Sequence, residues 1–537
     1  MTVASNTSVR RFFPMLLLSL GVLAGCGRTA LGPDRSTGAV AGMAPQAASE
    51  LSSPAGLSRV ELNTEQYDAV VENPFTTALT EPQSTFSIDV DTASYANVRR
   101  MLQAGELPPS GAVRIEELIN YFNYQYPEPN GEHPFSVATE LAPCPWQPQH
   151  QLLRVGLKGK SLAPTERPDC NLVFLLDVSG SMLDAKKLPL VKSALQLLTG
   201  ELKARDRVAI VVYAGAAGMV LDSTSAQRRA DILAAIDNLT AGGSTNGGAG
   251  IQLAYRIAEE NFIEEGVNRV ILCTDGDFNV GTTNDSDLVE LVQEKARTNV
   301  FLSVLGFGSG NLKDSTMERL ADRGNGNYAY IDSLLEARKV LVEQIGGTLV
   351  TIAKDVKIQL DFNPQHVQSY RLLGYENRLL ANQDFRDDAK DAGEIGAGHT
   401  VTAFYEIVPA TGAIDAANSA TSDARPSEFV KSELSQAADP STLLTVNLRY
   451  KQPEAQESSE FQVRLSANSA TATPSEDFQF ASAVVAYGLL LRDSKLAGAA
   501  NWDWVVDTAN NNIGDDPSGM RHEFVQLAKT ARRIVVN

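Results

Sequence analysis

Polar side chains in the middle of the chain have the types and spacing of a cation site. Two groups directly follow short apolar segments at residues 172–176 and 270–273, and a third lies in the glycine-rich loop at 242–250. Carboxylate and hydroxyl oxygens are hard ligands of the kind that Mg²⁺, Mn²⁺ and Ca²⁺ prefer. The candidate ligands are Asp177, Ser179, Ser181, Thr245 and Asp275.

Helix capping and turn formation are the alternative explanation for each group taken singly. Aspartate and serine favour such positions whether or not a metal is bound. Three groups in sequence, each in a suitable context, favour one shared site. Residues 242–250 contain no lysine and therefore do not form a nucleotide-binding P-loop.

The elements that would position these side chains are short strands that alternate with helices. Near-continuous apolar runs occur at residues 172–176, 208–213, 270–273 and 300–305, and amphipathic stretches separate them. Strands that are apolar on both faces belong to a parallel sheet covered by helices. The pattern predicts an α/β fold, a doubly wound parallel sheet, with its ligand site at the carboxyl ends of the strands.

Both flanks of this region show the period-two alternation of antiparallel strands. The alternating segments lie at residues 137–141 and 153–157 before it, and at 356–362, 401–407, 446–450 and 461–465 after it. We infer that these strands pair, so that the α/β domain is inserted in an antiparallel β-sandwich. Residues 478–491 and 520–533 are predicted to be closing helices.

The polar groups also carry a family resemblance. Asp177-x-Ser179-x-Ser181, Thr245 and Thr274-Asp275-Gly276 resemble the metal-ion-dependent adhesion site of von Willebrand factor type A (VWA) domains. The resemblance implies an octahedral cation, most often Mg²⁺ with Mn²⁺ or Ca²⁺ as alternatives, and an open position for a carboxylate of a partner protein. The segments FSIDVDTASY at 86–95 and LLGYENR at 372–378 resemble those of bacterial lipoproteins that carry this domain.

The N-terminus has the pattern of an export signal. Arg10 and Arg11 precede an apolar run at residues 12–23, which is about half the length that a membrane-spanning helix needs. The sequence Leu-Ala-Gly-Cys ending at Cys26 resembles a bacterial lipobox, which implies a lipid on that cysteine. We therefore expect an exported, lipid-anchored protein of the cell envelope, on the periplasmic face or the surface of the outer membrane.

These patterns divide the chain into six predicted parts. They are a signal peptide (1–25), a flexible tether rich in small and polar residues (26–84), an N-terminal family segment with helices and strands (85–168), the VWA domain (169–350), a β-rich extension (351–470) and a helical part (471–537).

Charge and composition exclude several classes of function. The 65 acidic residues outnumber the 46 basic ones, for a net charge of −19, so a nucleic acid partner is not expected. No histidine lies in residues 169–350, so neither serine of the motif has an evident general base. We predict no catalytic residue and no nucleotide.

Three functions remain to be compared. The first is an envelope lipoprotein whose cation binds an Asp or Glu of a protein partner. The second is a scaffold or assembly subunit of an envelope complex, and the third, which lacks support, is a metal-dependent hydrolase. Cys144 and Cys170 bracket a predicted strand, and an oxidising compartment would allow either a disulfide or two free thiols.

Overall fold

The computed structural model describes residues 65–88, 91–163, 165–214, 217–243, 247–276, 285–309, 313–344, 349–390, 392–410, 440–453 and 455–536. The predicted signal peptide, Cys26 and Thr245 lie outside these residues.

The N-terminal flank, residues 65–168, contains strands and helices of the following bounds: β1 (Thr76–Thr77), β2 (Gln83–Ser87), α1 (Ala93–Gln103), α2 (Ile115–Asn120), β3 (Phe135–Pro143) and β4 (Gln151–Gly159).

The prediction of a flexible tether up to residue 84 is wrong for residues 65–84. Asn73 is buried and donates to the carbonyl oxygens of Leu372 and Gly374, and Glu65 forms an ion pair with Arg100. Such contacts compensate the entropy lost on ordering, which composition alone does not reveal.

The α/β domain, residues 169–350, has these elements: β5 (Cys170–Asp177), α3 (Leu188–Glu201), β6 (Arg207–Tyr213), β7 (Ala217–Ser225), α4 (Arg229–Asp237), α5 (Gly247–Glu260), β8 (Val267–Thr274), α6 (Asp285–Ala296), β9 (Phe301–Phe307), α7 (Asp314–Arg323), β10 (Tyr328–Ile331) and α8 (Leu334–Arg338).

The six strands form one sheet in the order β10-β9-β8-β5-β6-β7, parallel except for β7, which runs antiparallel to β6. Successive residues of β5 face opposite sides. Leu172 and Phe174 pack against α3, α4 and α8, whereas Val173 and Leu175 pack in the core that includes residues of α5, α6 and α7. Helices therefore cover both faces, and the predicted doubly wound α/β fold is confirmed.

The C-terminal flank, residues 351–536, has these elements: β11 (Thr351–Phe362), β12 (Val367–Leu373), β13 (Leu379–Leu380), β14 (Gly393–Gly396), β15 (Thr400–Pro409), β16 (Thr442–Lys451), β17 (Ser458–Ser466), α9 (Glu476–Leu491), α10 (Trp502–Asn511) and α11 (Met520–Val536).

Strands from both flanks make a β-sandwich of two antiparallel sheets, with the orders β1-β12-β15-β4-β3 and β13-β2-β11-β16-β17. β4 pairs with β15, and β2 pairs with β11. The chain leaves the sandwich after β4 and returns at β11. A Cβ atom on Gly159, at the end of β4, would lie 2.9 Å from Ile352 Cδ1, so the two connections to the α/β domain are adjacent.

A helical layer formed by α1, α2, α9, α10 and α11 covers the outer face of the β4–β15 sheet, where Leu152 and Phe404 pack into it. α10 is an element that the sequence reading did not predict. Its Trp502 packs on α9, with its ring centroid 5.8 Å from that of Tyr487. No helix among the described residues is both long and apolar enough to cross a membrane.

Of the two alternatives left open for Cys144 and Cys170, a disulfide or two free thiols, the structure has the free thiols. Cys144, Cys170 and Cys273 are free, buried thiols. Cys144 lies in the core under the helical layer and Cys170 in the core of the α/β domain. The two cysteines therefore belong to separate cores, whereas a disulfide needs Cα atoms about 6 Å apart.

Candidate metal centre

Asp177 stands at the centre of the site because it ends β5, an interior strand of the sheet. Its side chain is buried, and its Oδ1 accepts a hydrogen bond of 2.8 Å from the backbone N–H of Ser179. The chain then forms a 3-10 turn over Gly180–Leu183. This turn places Ser181 Oγ 3.0 Å from Ser179 Oγ, with Ser179 buried and Ser181 exposed to solvent.

Asp275 lies beside Asp177 because β8 is the parallel neighbour of β5. Leu176 is opposite Cys273 in the register, so the residues that follow both strands meet at the same edge of the sheet. Asp275 is completely buried. Gly276 comes next with φ of 100°, a conformation that favours glycine, and its N–H donates to the hydroxyl of Thr274.

Burial raises the pKa of Asp177 to about 6. Hydrogen bonds from Ser179 oppose this shift, and the charge of Asp275 adds to it. Asp177 Oδ2 is buried and receives no hydrogen bond of normal geometry from the described residues, although the hydroxyl of Tyr213 lies close enough to lower the pKa of Asp177. A buried carboxylate oxygen in this state is costly unless a cation or donor reaches it.

The glycine-rich loop contacts the turn that follows β5. The N–H of Gly242 donates to the carbonyl of Val178 at 2.7 Å, and the N–H of Gly180 donates to the carbonyl of Gly243 at 3.1 Å. Gly243 has φ of 93°. Thr245 lies outside the described residues, so its part in the site stays a prediction.

Lys187 is a residue of the site that the sequence reading missed. Its Nζ forms an ion pair of 2.9 Å with Asp275 Oδ2, and only 8% of the lysine is exposed. Gly308, in the turn after β9, leaves room for it: a Cβ atom there would lie 2.4 Å from Lys187 Cε. Lys187 stands between Lys186 and Leu188 in the sequence, which gives no sign that its side chain turns inward.

The chemistry of these side chains fits a small divalent cation. Asp177 offers an unsatisfied carboxylate oxygen, Ser179 and Ser181 offer neighbouring hydroxyls, and Asp275 offers a second carboxylate. Within the described part of the chain, no three His, Cys, Asp or Glu side chains are grouped so as to hold a metal ion. Hydroxyl groups would therefore have to supply part of the coordination, as hard cations such as Mg²⁺ accept.

Known families cover almost the whole of the chain after its first 60 residues. The family described as "von Willebrand factor" matches residues 61–154, "von Willebrand factor type A domain" matches 171–344, and "Uncharacterized protein YfbK, C-terminal" matches 347–534. A curated relative, "Uncharacterized protein YfbK" of Escherichia coli K12, is 42% identical over 479 residues, which are 87% of this chain and 81% of the relative. The chain belongs to the YfbK family. It carries a VWA domain with the N- and C-terminal segments of that family.

Other matches are more distant. "Uncharacterized protein sll0103" of Synechocystis is 31% identical over 185 residues, 34% of this chain and 43% of the relative. Human "Inter-alpha-trypsin inhibitor heavy chain H4" is 31% identical over 161 residues, 28% of this chain and 17% of the relative. The solved structure "von Willebrand factor type A from Catenulispora acidiphila" is 17% identical, with a TM-score of 0.41, over 74% of this chain and 90% of that one.

Proposed function

We propose that this member of the YfbK family is a protein-binding module of the cell envelope that binds an acidic residue of its partner through a divalent cation. VWA domains mediate protein–protein interactions. The observation that carries the proposal for this chain is the buried Asp177 carboxylate, whose Oδ2 receives no hydrogen bond of normal geometry from the described residues, beside the hydroxyls of Ser179 and Ser181.

Each residue of the proposed site has a distinct role. Asp177, Ser179 and Ser181 would hold the ion, most favourably Mg²⁺, and the proposed set is completed by Thr245 and Asp275. The ion, when bound, supplies a positively charged contact for a carboxylate oxygen. Ser181 is exposed, so a partner can approach the site from solvent. Asp275 lies on the buried side of the site, and the Ser179 N–H fixes the Asp177 carboxylate by a hydrogen bond to its Oδ1.

The surface beside the site is suited to a protein partner. Leu183 lies two residues after Ser181 in the same turn, and 70% of its surface is exposed. An apolar side chain so exposed next to a cation site gives a partner an apolar contact adjoining the ionic one. Neither serine has a histidine within residues 169–350 to act as a base, so we propose binding and not hydrolysis.

The test of the proposed site uses Asp177→Ala with Asp184→Ala as the control, because Asp184 is an exposed acidic residue just beyond the same turn. Titration calorimetry with Mg²⁺ should show binding to the wild type and the control, and none to Asp177→Ala. Metal-dependent pull-down from envelope extract should follow the same pattern, with EDTA reproducing the loss. Circular dichroism should change little, because the apolar core forms without the ion.

Two results would contradict the proposal. The first is tight binding of the same partner by Asp177→Ala. The second is a partner that remains bound in EDTA in a fixed stoichiometric complex, which would favour the scaffold function.

The location in the envelope is a separate part of the proposal. It rests on the lipobox-like sequence that ends at Cys26 and on the export signal before it. Labelling cells with a radioactive fatty acid should give a labelled wild-type protein and an unlabelled Cys26→Ala variant. Equal labelling of the two proteins would rule out this anchor.

A further inference from the structure

A buried ammonium group next to a proposed cation site needs an explanation, because like charges repel. Lys187 Nζ lies 2.9 Å from Asp275 Oδ2, and the side-chain exposures of the two residues are 10% and 0%. At such a depth an ion pair interacts far more strongly than it would in water. Lys187 is therefore a fixed charge of the site.

The lysine is fixed by structure on both sides. It directly precedes α3, and its backbone N–H donates to the carbonyl of Asp184 at 3.0 Å. Its carbon chain runs across Gly308, whose φ of 79° favours glycine and whose missing Cβ leaves the space that the chain fills. Any other residue at 308 would put a Cβ within 2.4–2.9 Å of three Lys187 carbons.

Lys187 changes the net charge of the site when a cation is bound. The carboxylates of Asp177 and Asp275 alone would neutralise a divalent cation, and a neutral site gains little from another carboxylate. The Lys187 ammonium cancels the charge of Asp275. The loaded site then keeps one positive charge, which a single incoming carboxylate would neutralise.

We propose that Lys187 is a positioning residue that leaves the loaded site with a net positive charge. By pairing with Asp275 it lowers the affinity of the site for its cation and raises the affinity of the bound cation for a partner's carboxylate. This inference rests on the proposed function and goes beyond it, because it assigns selectivity for acidic ligands to a residue outside the five proposed ligands.

The experiment compares Lys187→Met with Lys186→Met, a neighbouring lysine whose side chain is exposed. Mg²⁺ affinity is measured by calorimetry. Carboxylate binding is measured with ¹³C-acetate, whose relaxation is enhanced when it contacts Mn²⁺ in the loaded site. Lys187→Met should bind Mg²⁺ about tenfold more tightly and acetate about tenfold more weakly than the wild type. Lys186→Met should match the wild type in both measurements, and Lys187→Arg should keep near-wild-type values because it keeps the charge.

The opposite movement of the two affinities is the decisive result. A purely structural role would weaken both affinities together, and that outcome would overturn the inference, as would unchanged affinities in Lys187→Met. If Lys187→Met does not fold, Lys187→Gln is measured in its place. A wild type that binds Mg²⁺ and acetate while the Lys187 variants do not differ from it refutes the inference alone. A wild type that binds no metal refutes the proposed function as well.

Discussion

At the scale of single residues, the imidazole of His399 is buried and its nitrogens lack hydrogen-bond partners among the described residues. Burial lowers the pKa of His399 to about 4, and the charges of Lys339 and Lys158 act in the same direction. The folded protein therefore keeps this imidazole neutral at pH values where the unfolded chain, with a pKa of about 6.5, takes up a proton.

This difference predicts a loss of stability in acid. Because the unfolded state binds the extra proton, the free energy of unfolding should fall as the pH decreases from about 6.5 to 4, by about 3 kcal/mol from this residue. Carboxylates titrate in the same range, so urea unfolding of the wild type is compared with that of His399→Gln at each pH. The fall should be smaller in the variant. Parallel curves for the two proteins would contradict the prediction.

The residues of the candidate site differ in how far they could be predicted from the sequence. Asp177, Ser179 and Ser181 are close in the chain, and a motif of that kind is visible because local spacing fixes which side chains meet. Asp275 could be added because parallel strands end at one edge of a sheet. Lys187 could not be predicted, since its inward path depends on Gly308, a residue far away in the sequence.

At the scale of elements, the edges of the α/β sheet differ. The β10 edge is covered by α1 of the N-terminal flank. Arg99 of α1 forms buried ion pairs with Asp332, which follows β10, and with Glu336 of α8, and it also contacts Glu523 of α11. One guanidinium thus joins an element of each part of the fold. Removing it would take the ion pair from the buried Asp332, which is more costly than never having had the pair, whereas Glu336 would keep Lys339 and the hydroxyl of Tyr121.

The opposite edge is β7, where Met219 and Val220 are 52% and 42% exposed. Neither β7 nor β10 was predicted from the sequence. β10 has four residues, and β7 contains a run of polar residues and only a short apolar segment. The interior strands β5, β6, β8 and β9 were predicted because burial on both faces demands continuous apolar runs. β7 is exposed or half-buried at all but one position and is not under that requirement, so its sequence carries a weaker pattern, whereas β10 is buried at all four positions and is too short to be distinguished in the sequence.

At the scale of the whole molecule, the hydrophobic cores depend on one another in one direction only. Within the described residues, neither the sandwich core nor the core under the helical layer contains a side chain from the α/β domain. The α/β domain, in contrast, takes Ala93 and Ala96 of α1 into one of its cores and Ala397 into the other. The flanks therefore have cores of their own, whereas the cores of the inserted domain include side chains from the flanks.

This asymmetry predicts that the flanks fold without the inserted domain. Replacing residues 166–349 with a short glycine–serine linker is sterically possible because the two connections are adjacent near Gly159 and Ile352. The cut removes Asp332 and Glu336, but Arg99 keeps its ion pair with Glu523. Arg114 likewise loses Asp314 and keeps Glu117. The shortened chain should be soluble, rich in β-structure by circular dichroism and cooperative in thermal unfolding, and it should bind no Mg²⁺.

A matched deletion provides the control. Removing residues 65–92 takes away β2, which lies between β13 and β11 in the second sheet of the sandwich. Phe86 and Ile88, both fully buried in the sandwich core, are lost with it. Large-to-small changes in a core cost several kcal/mol each, so losing a whole strand should abolish the cooperative transition of the sandwich and leave only that of the α/β domain. The contradicting result is a chain without residues 166–349 that does not unfold cooperatively, together with a chain without 65–92 that keeps the cooperative transition of the sandwich. In that case the inserted domain supports the flanks and not the reverse.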